Sequence, residues 1–492
     1  MVKSNSEVSK LGLEALPVES ALPKDVPIEE KAIIPPPPPP VIAPDGGTRA
    51  WLQVLGCWLV FFNVWGTTFA FGMFQSYYEL ILLPNKSSST ISWIGTVATY
   101  LLIVVGVISG PLFDLGHYRT MLFGGAALSS FGLMMLSLAT EYYQIMLAQG
   151  ICLGLGTGIL YVPGIALVSR SFSRRRAIAL GIVTCGAPFG GIVYTITFDQ
   201  LIDSRGFAWT VRIMGFIMIV SYLIAFPLLL WGAGNTGDIS SGTARKLFDK
   251  AAFNDLPFWL YSWSCFFLFF GYMVPFIYIP SYGQINLGMS RSLSLYTIVI
   301  AQAVSIVGRL LAAYIASRIG VMIPWLISGA LSAVMCLAWA GIHDTASFIA
   351  YAALYGGFSG PLIPLPPSIF PVVCPDPKVL GARLGMAQAI GATASLIGSP
   401  IAGALIRDNG RNYLGLQLFS GFVMLIGAGL LVCLWMTLVK RRNSWTYSKP
   451  HERSVILLRL VLVTGVESRE GQELLKMCRD MLQYSLFSAY LT

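Results

Sequence analysis

The chain has 492 residues, of which 55% are hydrophobic and only 11% charged, with a formal net charge of +9. A soluble domain carries about 25% charged residues, so composition excludes one; a bilayer-spanning helix takes about 20 mainly apolar residues, and the apolar stock suffices for roughly a dozen. The basic residues are scattered through short polar breaks instead of forming one patch, so the charge reads as membrane orientation and not as a nucleic-acid surface.

Residues 1–44 hold Pro, Glu, Lys, Ser and Val without helical or strand period and include the run Pro35 to Pro40. That composition predicts a disordered cytosolic tail with a short polyproline II stretch. The first apolar run starts only near Trp51, so the first helix is expected to act as its own uncleaved insertion signal. Apolar runs then recur at 51–77, 91–113, 120–140, 142–168, 177–198 and 209–231, and again at 257–282, 293–316, 321–341, 347–373, 386–406 and 416–439. These runs predict twelve spans in two sets of six: a first bundle over 45–231 and a second over 257–439, joined by a cytosolic linker over 232–256 that carries Arg245, Lys246 and Lys250. Residues 440–492 form a cytosolic tail, in which the apolar stretch from Val455 is too short to span.

Lys and Arg crowd the breaks on one side: Arg119, Arg170, Arg174 to Arg176, the linker bases, Arg318, Lys378 and Arg383, with Arg49 and Lys440 to Arg442 flanking. The other side holds only Lys86, Arg205, Arg291, Arg407 and Arg411. By the excess of positive charge in cytoplasmic loops, both termini are expected in the cytosol of a multi-pass protein of the cell membrane. The sequon Asn85-Lys86-Ser87 then falls in the first outside loop and makes Asn85 a candidate glycosylation site.

Eight cysteines make no CxxC pair, and His117, His343 and His451 are solitary, so no disulfide framework, metal site or cofactor is expected. Gly154-Leu-Gly156-Thr-Gly158 lacks the preceding strand of a phosphate-binding loop; small residues at such spacing instead let membrane helices approach closely. A matching Gly356-Gly357-Phe-Ser-Gly360 lies in the tenth run, and Leu180-Gly181-Ile182 is echoed by Leu384-Gly385-Met386. A parallel internal repeat of this kind marks a transporter whose halves rock about a midplane site.

Charges inside spans are costly and mark pathways or sites. Glu79, Asp114, Glu141 and Asp199 all fall at span ends or in breaks, and of the bases only Arg309 lies well inside a run. Arg212 lies one turn into the sixth run, where its stem can snorkel. Gln302, Ser305 and Arg309 share one helical face, and a guanidinium offers a fork of donors that fits a carboxylate. Arg309 is therefore the leading candidate contact for an anionic substrate, the competing role being to bond carbonyls between helices. Gln302, Asn63, Tyr278 and Tyr355 complete the expected lining, whose aromatic and hydroxyl walls suit an organic molecule. No midplane nucleophile with acid–base partners is present, so a membrane-embedded enzyme is not expected.

Pro44-Asp45-Gly46-Gly47 before the first helix, Gly110-Pro-Leu-Phe-Asp114-Leu-Gly116-His-Tyr-Arg119 after the second, and Arg174-Arg175-Arg176 running into Gly181 resemble the monocarboxylate porter family of the major facilitator superfamily, over about Pro44 to Arg442. The extra residue in Thr48-Arg49-Ala50-Trp51 looks like the fungal branch. The resemblance implies an all-α fold of twelve helices in two six-helix bundles and alternating access by a secondary transporter. It places Asp45, Gly46 and Gly47 in the family's entry motif, and Gly110, Asp114, Arg119, Arg174, Arg175, Arg176 and Gly181 in elements that gate the conformational change.

Monocarboxylate transporters of this type pair the arginine of the eighth helix with an aspartate one turn earlier and carry a lysine on the first helix. Here Ser305 stands one turn before Arg309, and 51–78 has no lysine. A proton-linked cycle would need the substrate's carboxylate or an end-located acid such as Asp199. The expected function is transport of a small organic acid or anionic metabolite, tilted towards efflux of a secondary metabolite, with the lipid bilayer and protons as further partners and a monomer as the working unit. Proton-linked monocarboxylate uptake and a non-transporting nutrient sensor are the alternatives.

Overall fold

The computed structural model describes residues 46–172, 176–233, 247–407 and 411–447. The chain divides into two units, Met1–Ile42 and Ala43–Thr492, and every described residue belongs to the second. The polyproline tail, Asp45, Arg174, Arg175, the side chain of Arg176, linker residues 234–246 and the tail from 448 lie outside the described residues.

Among the described residues, eleven helical stretches are long and apolar enough to cross a bilayer. One of them, Arg176–Ala233, is two helices merged at Gly206, where φ 70 and ψ 173 break the helical path. As a straight rod its apolar part would be about 80 Å long against a hydrocarbon core of about 30 Å. It folds back instead: Asn63 accepts from Tyr194 and donates to Ser221, both at 2.6 Å, so the two arms flank the same point of the first helix. The count of twelve expected from the sequence is thus met.

In chain order the spans are α1 (Thr48–Leu82), α2 (Ser88–Asp114), α3 (Tyr118–Leu136), α4 (Tyr142–Ser169), α5 (176–205), α6 (207–233), α7 (Leu256–Ile285), α8 (Arg291–Ile319), α9 (Met322–Gly341), α10 (Thr345–Val373), α11 (Pro377–Ala404) and α12 (Leu414–Tyr447). Side-chain caps fix several starts: Ser87 accepts from the Thr90 amide for α2, Ser290 from Leu293 for α8 and Asp344 from Ser347 for α10. The Ser347 amide also holds the Asp344 carboxyl below the usual carboxylate range. Gly47 precedes α1 with φ 100, and Gly46 before it has φ 127, conformations that glycine adopts without strain.

The two halves pack alike. In the first, α2 lies on α4 and α3 on both α4 and α6; in the second, α8 lies on α10 and α9 on both α10 and α12. The glycines make the close contacts: a Cβ on Gly154 or Gly158 would meet α2 at Ala98 or Leu101, and one on Gly356 or Gly360 would meet α8 at Ala301 or Ser305. Helix packing, not phosphate binding, therefore explains both glycine clusters. The halves meet along a seam of α1 against α7, α2 against α11 and α5 against α8.

Glycine positions differ sharply in what they tolerate. A Cβ at Gly190 would stand 1.9 Å from the Phe62 carbonyl oxygen, whereas nothing lies within 4 Å of one at Gly181. Gly190→Ala is expected to cost about 1–3 kcal/mol through overpacking and to lower the melting temperature of purified protein, while Gly181→Ala melts with the wild type. Equal melting temperatures for all three would contradict the packing at Gly190.

Candidate functional site

Arg309 sits midway along α8 and is 3% exposed, the one Lys or Arg that is buried among the described residues. Helical spacing puts Gln302 two turns and Ser305 one turn before it on the same face, and all three are buried. That face meets the first half. Arg309 Nη1 donates to the Thr184 carbonyl of α5 at 2.9 Å, and its guanidinium carbon lies 5.5 Å from the Phe69 ring centre on α1. A Cβ on Gly191 would stand 3.5 Å from the Gln302 side chain. Arg309 thus lies on the seam, held by one carbonyl and one aromatic face.

The Tyr272 hydroxyl of α7 also faces the guanidinium. Both ends of the Gln302 amide and the Trp65 indole nitrogen are buried without a protein partner, and Arg309 Nε and Nη2 make no hydrogen bond of normal geometry. A buried polar atom without a partner costs about 1–3 kcal/mol, so a cluster of them marks a place where water or a ligand supplies the missing bonds. An aromatic track runs through the cluster: Trp65 to Phe69 at 6.2 Å, Phe69 across the seam to Phe276 at 5.5 Å, then Phe276 to Tyr272 at 5.6 Å and to Tyr355 at 5.4 Å. A cation with free donors beside aromatic faces can hold an organic anion by its charge and by its flat apolar body.

Of the five residues expected to line the site, the structure puts Arg309 and Gln302 on one face, keeps the Tyr355 ring in the aromatic track with its hydroxyl bonded to protein, and engages Asn63 and Tyr278 elsewhere. Asn63 is saturated inside the first half by Tyr194 and Ser221. Tyr278 donates to the Ser399 carbonyl at 3.0 Å, near the α1–α2 loop. Tyr355 donates to the Tyr272 carbonyl at 2.7 Å within the second half. Arg212 is structural, with Nε donating to Ser137 Oγ at 3.2 Å and the guanidinium over Trp209. Trp65, Phe69 and Tyr272 were not anticipated; the spacing of Trp65 and Phe69, one turn apart on the face of α1 opposite Asn63's polar partners, was the available signal.

The seam is closed at the end away from Gly47 and Tyr447. There Arg291 of α8 makes a two-pronged ion pair with Asp203, its Nη1 donating to Oδ1 at 2.9 Å, while Ser292 donates to Asp199 at 2.8 Å. Gln284 donates to Ser76 at 2.8 Å, Ser89 to the Pro400 carbonyl at 2.7 Å, and Ser281 to Glu79. Asp199, the end-located acid offered by the sequence as a proton carrier, contacts Ser292 and Arg291 in this seal. A small pocket between Tyr77, Phe198, Gln284, Arg291 and Leu295 remains there, and an open cleft of about 390 Å³ lies between α1 and α6 at Phe62 and Ser221; neither adjoins Arg309.

At the opposite end, Asp114 closes α2 and is buried, Gly110 is buried one turn before it, and Arg119 is exposed with Nε 3.3 Å from the Tyr118 hydroxyl. Arg383 of α11 binds both Asp249 at 2.7 Å and Asp255 at 2.9 Å, tying the start of α7 to α11. Asn85 is exposed in the loop between α1 and α2.

Comparison with known proteins agrees with this architecture. The Major Facilitator Superfamily model matches residues 54–374. The chain is 35% identical over 395 residues to the MFS-type transporter dbaD of Emericella nidulans, spanning 79% of this chain and 86% of that one. It is 37% identical over 388 residues to the aspyridones efflux protein apdF of Emericella nidulans, spanning 79% and 78%. With the fujikurins efflux protein of Gibberella fujikuroi it shares 33% identity over 400 residues, spanning 81% and 85%. A twelve-helix fold with repeated halves, matched over most of its length by transporters, places this chain in the major facilitator superfamily.

Proposed function

We propose that the protein is a secondary transporter that exports an anionic, partly apolar secondary metabolite across the plasma membrane by alternating access. The observation that carries this is Arg309: a buried cation on the seam between the halves, set over the Phe69 ring and against the Tyr272 hydroxyl, with Nε and Nη2 making no hydrogen bond of normal geometry. Efflux is favoured over uptake because relatives of similar length are named as efflux proteins for aspyridones and fujikurins. The halves 45–231 and 257–439 rock about the seam, Gly110, Asp114, Arg119, Arg174, Arg175, Arg176 and Gly181 gate the cytosolic end, and the sealed end carrying Asn85 faces the exterior. Asp45, Gly46 and Gly47 form the entry motif, and their glycine turn supports kinship with the monocarboxylate porters.

The test is to profile metabolites inside and outside cells that express or lack the protein. The expected result is an acidic metabolite that accumulates inside, and falls outside, when the protein is absent. An unchanged distribution of every acidic metabolite would remove the export reading.

A further inference from the structure

We infer that Glu79 is the proton-binding residue of a latch on the sealed end of the seam: protonated, it fits the closed state, and ionised, it favours the opened, hydrated one. This rests on the alternating-access reading above and adds a site to it. Glu79 lies in the last turn of α1, which is π-helical over Tyr78–Leu82, a widened turn that changes the register of the side chains. Its carboxyl points into the seam. Oε1 accepts from Gln75 Nε2 at 2.6 Å and Oε2 from Ser281 Oγ of α7, so one carboxyl group joins the two halves. Gln75 is itself tied to the Ser88 carbonyl at 3.0 Å.

The charges around it explain why a proton matters. Asp199 and Asp203 share Arg291, but no cation among the described residues pairs with Glu79. Its other neighbours are uncharged: Tyr278 of α7, and Tyr413 at the start of α12, which packs on Tyr282. Glu79 is half-buried, and holding a carboxylate without a cation even partly away from water is costly. A neutral carboxylic acid meets the same partners without that cost, because the Ser281 hydroxyl can donate to its carbonyl oxygen or accept a hydrogen bond from its O–H. When the halves part here, water reaches the carboxyl, its O–H bond breaks and the proton passes to that water; closing reverses the transfer.

The test uses the full chain in phosphatidylcholine vesicles and needs no substrate. Leu295, 2% exposed beside this seal, is replaced as Leu295→Cys, and its labelling by a membrane-impermeant maleimide is followed from pH 5 to pH 8. Rates are divided by those of Lys86→Cys, exposed in the neighbouring loop, which removes the thiol's own pH dependence, and the background of the native cysteines is subtracted. The normalised rate is expected to rise about tenfold across this range, as a proton affinity differing tenfold between the two states requires. Glu79→Gln is expected to stay at the low-pH rate throughout, and Glu79→Asp to keep the rise. Ser281→Ala, which removes the cross-seam partner, is expected to raise labelling at pH 5, and His343→Gln, at the same end, to leave the slope intact. A slope that survives in Glu79→Gln, or disappears in His343→Gln, overturns the assignment. Absence of labelling at every pH in all variants would overturn it together with alternating access, whereas pH-dependent labelling with a Glu79-independent slope would overturn it alone.

Discussion

Replacing Arg309 by alanine is expected to cut export roughly 10- to 150-fold while the protein still reaches the membrane in normal amounts. The guanidinium donates to the Thr184 carbonyl and faces the Tyr272 hydroxyl, while Nε and Nη2 make no hydrogen bond of normal geometry. A hydrogen bond to a charged group contributes about 1.5–3 kcal/mol, so losing the contact with a carboxylate lowers affinity roughly 10- to 150-fold. Folding should suffer little, because the variant removes a buried charge whose desolvation opposes folding and leaves the interlocked glycines untouched. Arg309→Lys keeps the charge but not the planar fork, and is expected to transport at an intermediate rate. Rates are read as efflux of the identified metabolite from loaded vesicles, normalised to protein content. Wild-type kinetics in Arg309→Ala would take the residue out of the site.

The second large effect is expected at Gly72. A Cβ there would stand 2.1 Å from the Phe276 carbonyl oxygen and 3.0 Å from Ile298 Cδ1, so α1 and α7 touch backbone to backbone across the seam. Unlike Gly190, whose clash lies inside the first half, Gly72 meets the other half, and the strain of Gly72→Ala acts on the closed state. Overpacking of about 1–3 kcal/mol shifts the balance between closed and open by roughly 5- to 150-fold. Transport should fall by a comparable factor, since each cycle must close this end, and labelling at Leu295→Cys should rise. Gly124→Ala, with nothing within 4 Å of the added carbon, is the matched control and should transport normally. Normal transport in Gly72→Ala would mean that the α1–α7 contact is not part of the cycle.

Much of the fold is legible in the sequence because the bilayer forces it to be. Backbone groups in hydrocarbon must bond within the segment, so each span appears as an unbroken apolar run, and the positions of all twelve can be read from them. The break at Gly206 is signalled by Asp203, Ser204 and Arg205 just before it. Arg309 and Gln302 are legible too, since a charge in mid-span needs a reason and helical spacing fixes the shared face.

The remaining site is not legible, because it depends on pairs far apart in sequence. Asn63 is polar and mid-span like a ligand contact, but Tyr194 and Ser221 satisfy it from 131 and 158 residues away. Tyr278 and Tyr355 likewise end on carbonyls of other helices. Glu79 stands near the end of its apolar run and reads as a surface acid, yet a π turn and a serine 202 residues later hold it inside the seam. Apolar aromatic residues such as Phe69 look like any other core side chain until the guanidinium is found above them.

The most direct test of the central claim is calorimetric titration of the exported metabolite into purified protein, at a pH where the metabolite is an anion and at one where it is neutral. Binding by the wild type only to the anion, and loss of that binding in Arg309→Ala, is the predicted result. A dissociation constant unchanged by ionisation of the ligand or by the substitution would contradict an anion held at the seam by Arg309.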